Sequence, residues 1–244
     1  MRCGRSLRAD PRVRQLILIP GLMNDADVWR DVAAPLSSAA RVRVADISRG
    51  ETLAGLADEV VEGVEGAFAL VGFSLGGIVA LEVFRRARGR VSHLGLIGTT
   101  AFPDSAERAV ARQRVLAQLG TGERFHGFGT MLAKEYLAPE SAADPALVGR
   151  IKAMAERLGP DVLARQTLLG RPDNSALLPT IDCSTAVACG ALEQVTPPAV
   201  HQRLAGAIAG ATLEVVPGSG HVLPMERPDA VVRIVSELLA RLGR

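Results

Sequence analysis

The stretch Gly72-Phe73-Ser74-Leu75-Gly76-Gly77 constrains this chain more than any other. Before it runs the apolar segment Ala67-Phe68-Ala69-Leu70-Val71, which has strand character. After it, from Ile78 to Arg88, comes a helical pattern with Val79, Leu81, Val83 and Phe84 among its apolar positions. A Gly-x-Ser-x-Gly between a buried strand and a helix reads as a nucleophile elbow, a strained turn that exposes the serine hydroxyl. Side chains at positions 72 and 76 would collide where the strand end meets the helix start. In a chain with 25 glycines the pattern alone is weak, arising by chance about one time in ten. Its weight comes from the strand before and the helix after.

Short apolar runs alternate with helical stretches along the chain, which predicts βαβ units around a parallel sheet. Strands are expected near 15–19, 41–46, 67–72, 93–98, 185–190 and 212–216, and helices at 26–38, 51–65, 75–88, 197–209 and 227–242. Region 101–180 departs from this rhythm, with no convincing strand. It holds helical stretches around 104–119, 129–137, 144–158 and 160–169, broken by Gly120, Gly122, Pro139, Pro145, Gly159 and Pro160. A helical insertion between two parallel strands reads as a lid over the strands' carboxyl ends, the edge where ligands bind in open α/β sheets. The expected division is a poorly ordered tail at 1–14, a core of 15–100 with 181–244, and a lid at 101–180.

A chain of 244 residues with 48% hydrophobic content fits one domain with a large core. Its net charge of +2 argues against nucleic-acid or acidic partners. Lysine occurs only at 134 and 152, and abundant arginine and alanine suggest a GC-rich genome rather than a function. Cys3, Cys183 and Cys189 match no metal spacing and read as reduced, mostly buried thiols of a cytoplasmic protein. Residues 1–14 are arginine-rich without the apolar centre of a signal peptide, and no segment approaches a membrane span. The expected partner is a small-molecule substrate, not a membrane; assembly into a homodimer stays open.

A serine nucleophile needs a base, and four histidines are available. His221 lies in Pro217-Gly218-Ser219-Gly220-His221, directly after the last expected strand, where a glycine-rich loop would bring its ring to the sheet edge that carries Ser74. His93, His126 and His201 read as surface or packing residues. The base in turn needs an acid to fix its tautomer and stabilise the imidazolium. In the loop Ala191-Leu192-Glu193-Gln194-Val195-Thr196-Pro197-Pro198, Glu193 is the one carboxylate. Asp104, after the fourth expected strand, is the alternative.

The order Ser74, Glu193, His221 is that of α/β-hydrolases, and from about residue 15 to its C-terminus the chain resembles a lid-bearing, esterase-like member of that fold family. Four stretches carry the resemblance: Ile19-Pro20-Gly21-Leu22-Met23 with Trp29, the elbow at 72–77, Gly190 through Pro198, and Gly218 through Pro228. Gly170-Arg171-Pro172-Asp173 is similar to a bacterial branch. The resemblance implies a mostly parallel six-stranded doubly wound sheet, ordered 4-3-5-6-7-8 in the family's numbering, with its first two strands having no counterpart after residue 15. It also implies a catalytic Ser74–His221–acid triad, with backbone amides of Leu22 and Leu75 as oxyanion hole and no cofactor or metal. Three departures stand out. The acid is usually aspartate, so a glutamate loop must sit slightly farther back. The loop after the first strand usually begins His-Gly, whereas Pro20-Gly21 keeps the donors and loses a brace. Leu75 stands where methionine or glutamine is common.

Other residues admit plainer readings. Asn24, Asp25 and Asp27, beside the oxyanion loop, suit turn formation and helix capping before Trp29, with substrate contact as the alternative, and Glu226 suits capping or bracketing of the last helix. Arginines around 85–90 and 108–114 suit solvated helix faces. Phe102, Phe125, Phe128 and Tyr136 are lid packing or, together with Met23, the apolar wall of a substrate pocket. That wall favours a small or medium uncharged ester. Thioesters, lactones, carbon–carbon bonds beside a ketone and N-terminal peptide bonds are alternatives on the same fold. A cofactor-free lyase or oxygenase and a non-catalytic ligand receptor are rivals from other classes.

Overall fold

The computed structural model describes residues 15–120 and 135–241; the expected tail at 1–14, His126, Phe125 and Phe128 lie outside them. Six strands form one sheet: β1 (Gln15–Ile19), β2 (Arg41–Val44), β3 (Phe68–Phe73), β4 (Val91–Ile97), β5 (Ser184–Gly190) and β6 (Thr212–Val216). Their order is β2-β1-β3-β4-β5-β6, and every pairing is parallel. This is the order the resemblance implies. The connecting helices are α1 (Arg30–Leu36), α2 (Leu53–Val61), α3 (Leu75–Ala87), α4 (Ala106–Gly120), α5 (Pro139–Ala142), α6 (Pro145–Leu168), α7 (Pro198–Gly206), α8 (Leu223–Glu226) and α9 (Pro228–Leu239).

Strand alternation builds two cores, one on each sheet face. Leu16, Leu18, Ala69, Val71 and Phe73 point to one, with Trp29 and the apolar stripe Val231, Ile234, Val235, Leu238 and Leu239 of α9. Ile17, Ile19, Phe68 and Leu70 point to the other, with Leu56, Val60, Val79, Val83 and Phe84 of α2 and α3. The stripe on α9 has the three- and four-residue spacing of one helix face. Covering helices on both faces is what lets β3 be buried throughout.

Boundaries follow local chemistry. The helix expected over 26–38 begins as a 3₁₀ turn at Ala26–Trp29, capped by the Asp25 side chain on the Asp27 amide. The one expected over 51–65 ends at Val61, before Gly63 and Gly66, both with positive φ. The two helices expected across 144–169 form α6, two segments meeting at Gly159 (φ 76°, ψ 176°) before Pro160. Between β4 and β5 the described residues are helical or irregular, with no strand.

Because β2 and β3 lie on opposite sides of β1, the chain leaves β1 and β3 in opposite directions. A crevice opens there, at the carboxyl ends of the strands.

Candidate active site

Ser74 occupies that crevice, at the junction of β3 and α3, with φ 53° and ψ −118°. Such a left-handed backbone at a residue with a side chain costs on the order of 1–3 kcal/mol and must be held from outside. The Ser74 amide donates to the Ile97 carbonyl at 2.9 Å, while its own carbonyl accepts from the Gly77 amide at 2.9 Å and the Thr99 hydroxyl at 2.7 Å. The glycines make room. A Cβ on Gly72 would lie 2.6 Å from Gly77 Cα, and one on Gly76 would run into the Ile19 and Pro20 carbonyls.

The loops after β5 and β6 meet in the same way. A Cβ on Gly190 would come within 2.6 Å of the Ser219 carbonyl carbon, so backbone touches backbone there. The Leu192 amide donates to the Ser219 carbonyl at 2.9 Å. Glu226 accepts from the Gly220 amide (3.0 Å) and the Ala138 amide (2.9 Å), and the His221 amide donates to the Tyr136 carbonyl at 2.6 Å. The His221 ring lies between Phe73 and Tyr136, with ring centroids 5.2 and 5.0 Å away.

So held, His221 Nε2 lies 2.9 Å from Ser74 Oγ and Nδ1 lies 2.5 Å from Glu193 Oε2. The other carboxylate oxygen, Glu193 Oε1, accepts from the Val195 amide at 2.7 Å and the Thr196 amide at 3.1 Å. Burial pushes the Glu193 pKa up, but the His221 ring and the two amides outweigh it, so the net direction is down. The carboxylate is therefore ionised beside the ring and accepts from Nδ1–H, leaving Nε2 to face the serine hydroxyl as an acceptor.

A cavity of about 130 Å³ opens beside Ser74 and His221. One water needs about 10–15 Å³ of such space, so the cavity holds on the order of ten small-molecule atoms. Leu22, Phe73, Ile78, Ile151 and Val222 form its apolar side, and Asp104, Arg108, Arg112 and Arg171 supply charge. Leu75, also at the cavity, carries the first amide of α3, which helix geometry leaves without an intrahelical acceptor.

The alpha/beta hydrolase family profile matches residues 16–234. The chain belongs to that family. Over 104 residues it is 33% identical to the pimeloyl-[acyl-carrier protein] methyl ester esterase of Aromatoleum aromaticum, a match that covers 39% of this chain and 42% of that relative's length. An esterase from Thermogutta terrifontis superposes with a TM-score of 0.85 at 27% identity, covering 95% of this chain and 91% of that one. A hydrolase from Pseudomonas aeruginosa gives 0.83 at 25% identity over 96% and 92%. An enol-lactonase from Burkholderia xenovorans, at 21% identity and a TM-score of 0.82 over 96% and 95%, shares the fold.

In this family member several expectations about neighbouring residues need correction. Asp104 reaches the cavity, but its carboxylate pairs with Arg112 (2.7 Å) and Arg108 (3.8 Å), whereas His221 pairs with Glu193. Met23 is fully buried in the core rather than forming a pocket wall. Its backbone is left-handed (φ 56°), and its amide donates to Gln166 Oε1 at 2.8 Å. Phe102 packs outside the cavity, under the Arg203 guanidinium at 3.7 Å. Of the expected aromatic wall, Tyr136 lines the cavity. Arg108 and Arg112 face the cavity too, not bulk solvent alone, so an uncharged pocket is not what forms.

Other expectations are refined. Glu226 braces the loop that carries His221 and the Tyr136–Ala138 backbone rather than bracketing α9. Asp25 caps as expected, while Asp27 pairs with Arg150 at 3.1 Å. Arg86 and Arg88 pair with Asp58 and Asp182 at the surface. His93 is buried and satisfied, with Nε2 2.9 Å from the Arg241 carbonyl. His201 is buried as well, and its Nε2 accepts from the Thr99 amide at 3.0 Å. Thr99 thus links His201 to the elbow, a connection invisible in sequence because it spans β4 and α7. No helix among the described residues is long and apolar enough to cross a membrane.

Proposed function

We propose that this protein is a serine esterase working through Ser74, His221 and Glu193 with an acyl-enzyme intermediate, on a small carboxylic ester. The observation that carries the reading is the unbroken hydrogen-bonded chain from Ser74 Oγ through both ring nitrogens of His221 to Glu193. Ser74 Oγ attacks the ester carbonyl carbon while its proton passes to His221 Nε2. The amides of Leu22 and Leu75 donate to the oxyanion; a preorganised donor of this kind is typically worth about 10²–10³ in rate. As the tetrahedral intermediate collapses, the Nε2 proton goes to the departing alkoxide. Water then attacks the acyl-enzyme, giving its proton to Nε2, which returns it to Ser74 as the acid leaves. Glu193 stays ionised and accepts from Nδ1–H throughout.

The helical insertion between β4 and β5 acts as a cap, a role supported by its supply of Asp104, Arg108, Arg112, Tyr136, Ile151 and Arg171 to the cavity. Esterase relatives support the choice of an ester over other acyl compounds. Guanidinium groups in the cavity repel an ammonium, which counts against N-terminal peptide bonds. The reaction as proposed runs on side chains, backbone amides and water, and the partner is the substrate itself.

Hydrolysis of p-nitrophenyl esters from acetate to decanoate by wild type, Ser74→Ala and Glu193→Gln tests this. The reading expects turnover of the short esters, its loss in the serine variant and a strong reduction in the glutamine variant. Absence of ester turnover by wild type would exclude the esterase reading and favour a lyase or a receptor.

A further inference from the structure

One side of the cavity carries far more positive charge than a neutral ester needs. Three guanidinium groups line it, from Arg108, Arg112 and Arg171, against one carboxylate on the same wall, that of Asp104. Asp104 is shared between two of them, lying 2.7 Å from Arg112 Nε and 3.8 Å from Arg108 Nε. The closer contact is out of line for a hydrogen bond, leaving both buried atoms without one. Arg171 makes no ion pair within 4 Å among the described residues, and the Asp104 charge favours its cation only from farther off; its guanidinium donates to the carbonyls of Leu169 (2.6 Å), Gly170 (3.3 Å) and Gln166 (3.4 Å). Burial and the neighbouring Arg112 and Arg108 charges push the Arg171 pKa down to about 10, so it is still a cation at neutral pH.

These groups are held, not waving in solvent. Arg108 donates to the Val195 carbonyl at 2.9 Å, tying it to the loop that carries Glu193. Arg112 donates to the Thr167 and Leu169 carbonyls, each at 3.1 Å. Like charges gathered in one small cavity repel, and an anion placed among them relieves the repulsion while accepting charge-assisted hydrogen bonds. The same cavity is apolar around Leu22, Phe73 and Ile78, beside Ser74.

We infer that the substrate is an ester bearing a free carboxylate a few atoms from its scissile carbonyl, with that carboxylate held by Arg108, Arg112 and Arg171. The inference rests on the serine-esterase reading for its chemistry and adds the substrate's charge. A half-ester of a short dicarboxylic acid has the required form. Hydrolysis then releases a dicarboxylate and a neutral alcohol.

The test compares monomethyl glutarate with its uncharged counterpart, methyl pentanoate, by acid release at constant pH. Wild type should prefer the half-ester roughly tenfold or more in kcat/KM, chiefly through KM, with the preference shrinking as salt rises. Arg108→Gln, whose side chain is 44% exposed and least needed for folding, should lower that preference several-fold, as should Arg171→Gln. Equal or better turnover of methyl pentanoate by wild type, or a preference untouched in both variants, overturns the inference and leaves the esterase reading standing.

Calorimetry of monomethyl glutarate with the Ser74→Ala protein separates the two ideas without chemistry. Saturable binding, absent for methyl pentanoate and weakened in the Ser74→Ala/Arg108→Gln double variant, supports the anion site even should wild type turn over neither ester. That combination would retain the site and exclude the esterase reading. Absence of binding would overturn the anion site.

Discussion

At the residue scale, the proposed function hangs on three side chains that the fold brings together from 74, 193 and 221. Glutamate in place of aspartate fits the proposed role because its two oxygens have different partners. One faces His221, and the other is pinned by the Val195 and Thr196 amides, which holds the longer side chain still. Glu193→Gln keeps the volume but puts an amide where an ionised acceptor stood. It should reduce kcat on the order of 10³–10⁴-fold with KM little changed, as steady-state kinetics on a p-nitrophenyl ester would read. The same residue gives a pH prediction. Its folded pKa is below the ordinary 4.5, so its contribution to stability is complete above that value and is lost as pH falls through the lowered folded pKa. Thermal unfolding followed from pH 6 downward should therefore show a shallower acid decline in Glu193→Gln than in wild type.

At the element scale, the elbow was legible because it needs small residues at fixed places, and the structure gives each its reason. Gly72 and Gly76 face backbone, which cannot step aside. Gly76→Ala should cost on the order of 1–3 kcal/mol or more, seen as a lower denaturant midpoint with unchanged slope. Helix α9 was legible from its stripe, and Leu238→Ala, fully buried there, should cost about 2–5 kcal/mol by the same measurement. The kink in α6 was legible because Gly159-Pro160 interrupts a helical pattern. What periodicity could not tell was which way the helices of the insertion face. Arg108 and Arg112, four apart on α4, match a solvated face in sequence. The packing of α4 beside α6 turns them toward Ser74, and Arg171 joins them only after the chain has returned from α6. The left-handed turn at Met23 was equally hidden, since Gln166, 143 positions away, holds its amide.

At the scale of the whole molecule, the parallel sheet carries the site at one edge, with β1, β3, β5 and β6 each delivering one loop to it. This much followed from the alternation of strands and helices, because a parallel sheet has all its carboxyl ends on one side. The same packing buries the free thiols. Burial raises Cys183 to about 11 and Cys189 to about 12, the nearby Glu193 charge adding to the latter. Both should resist iodoacetamide at pH 8 in the native protein and react once denaturant is added, as peptide mass analysis would show. The central claim remains that an acyl group passes through Ser74, and rapid acid quench during p-nitrophenyl acetate turnover tests it most directly. Wild type should carry one acetyl group on the peptide that contains Ser74, and Ser74→Ala should show neither modification nor turnover. Turnover that survives Ser74→Ala, or an acetyl group recovered on another residue, would contradict it.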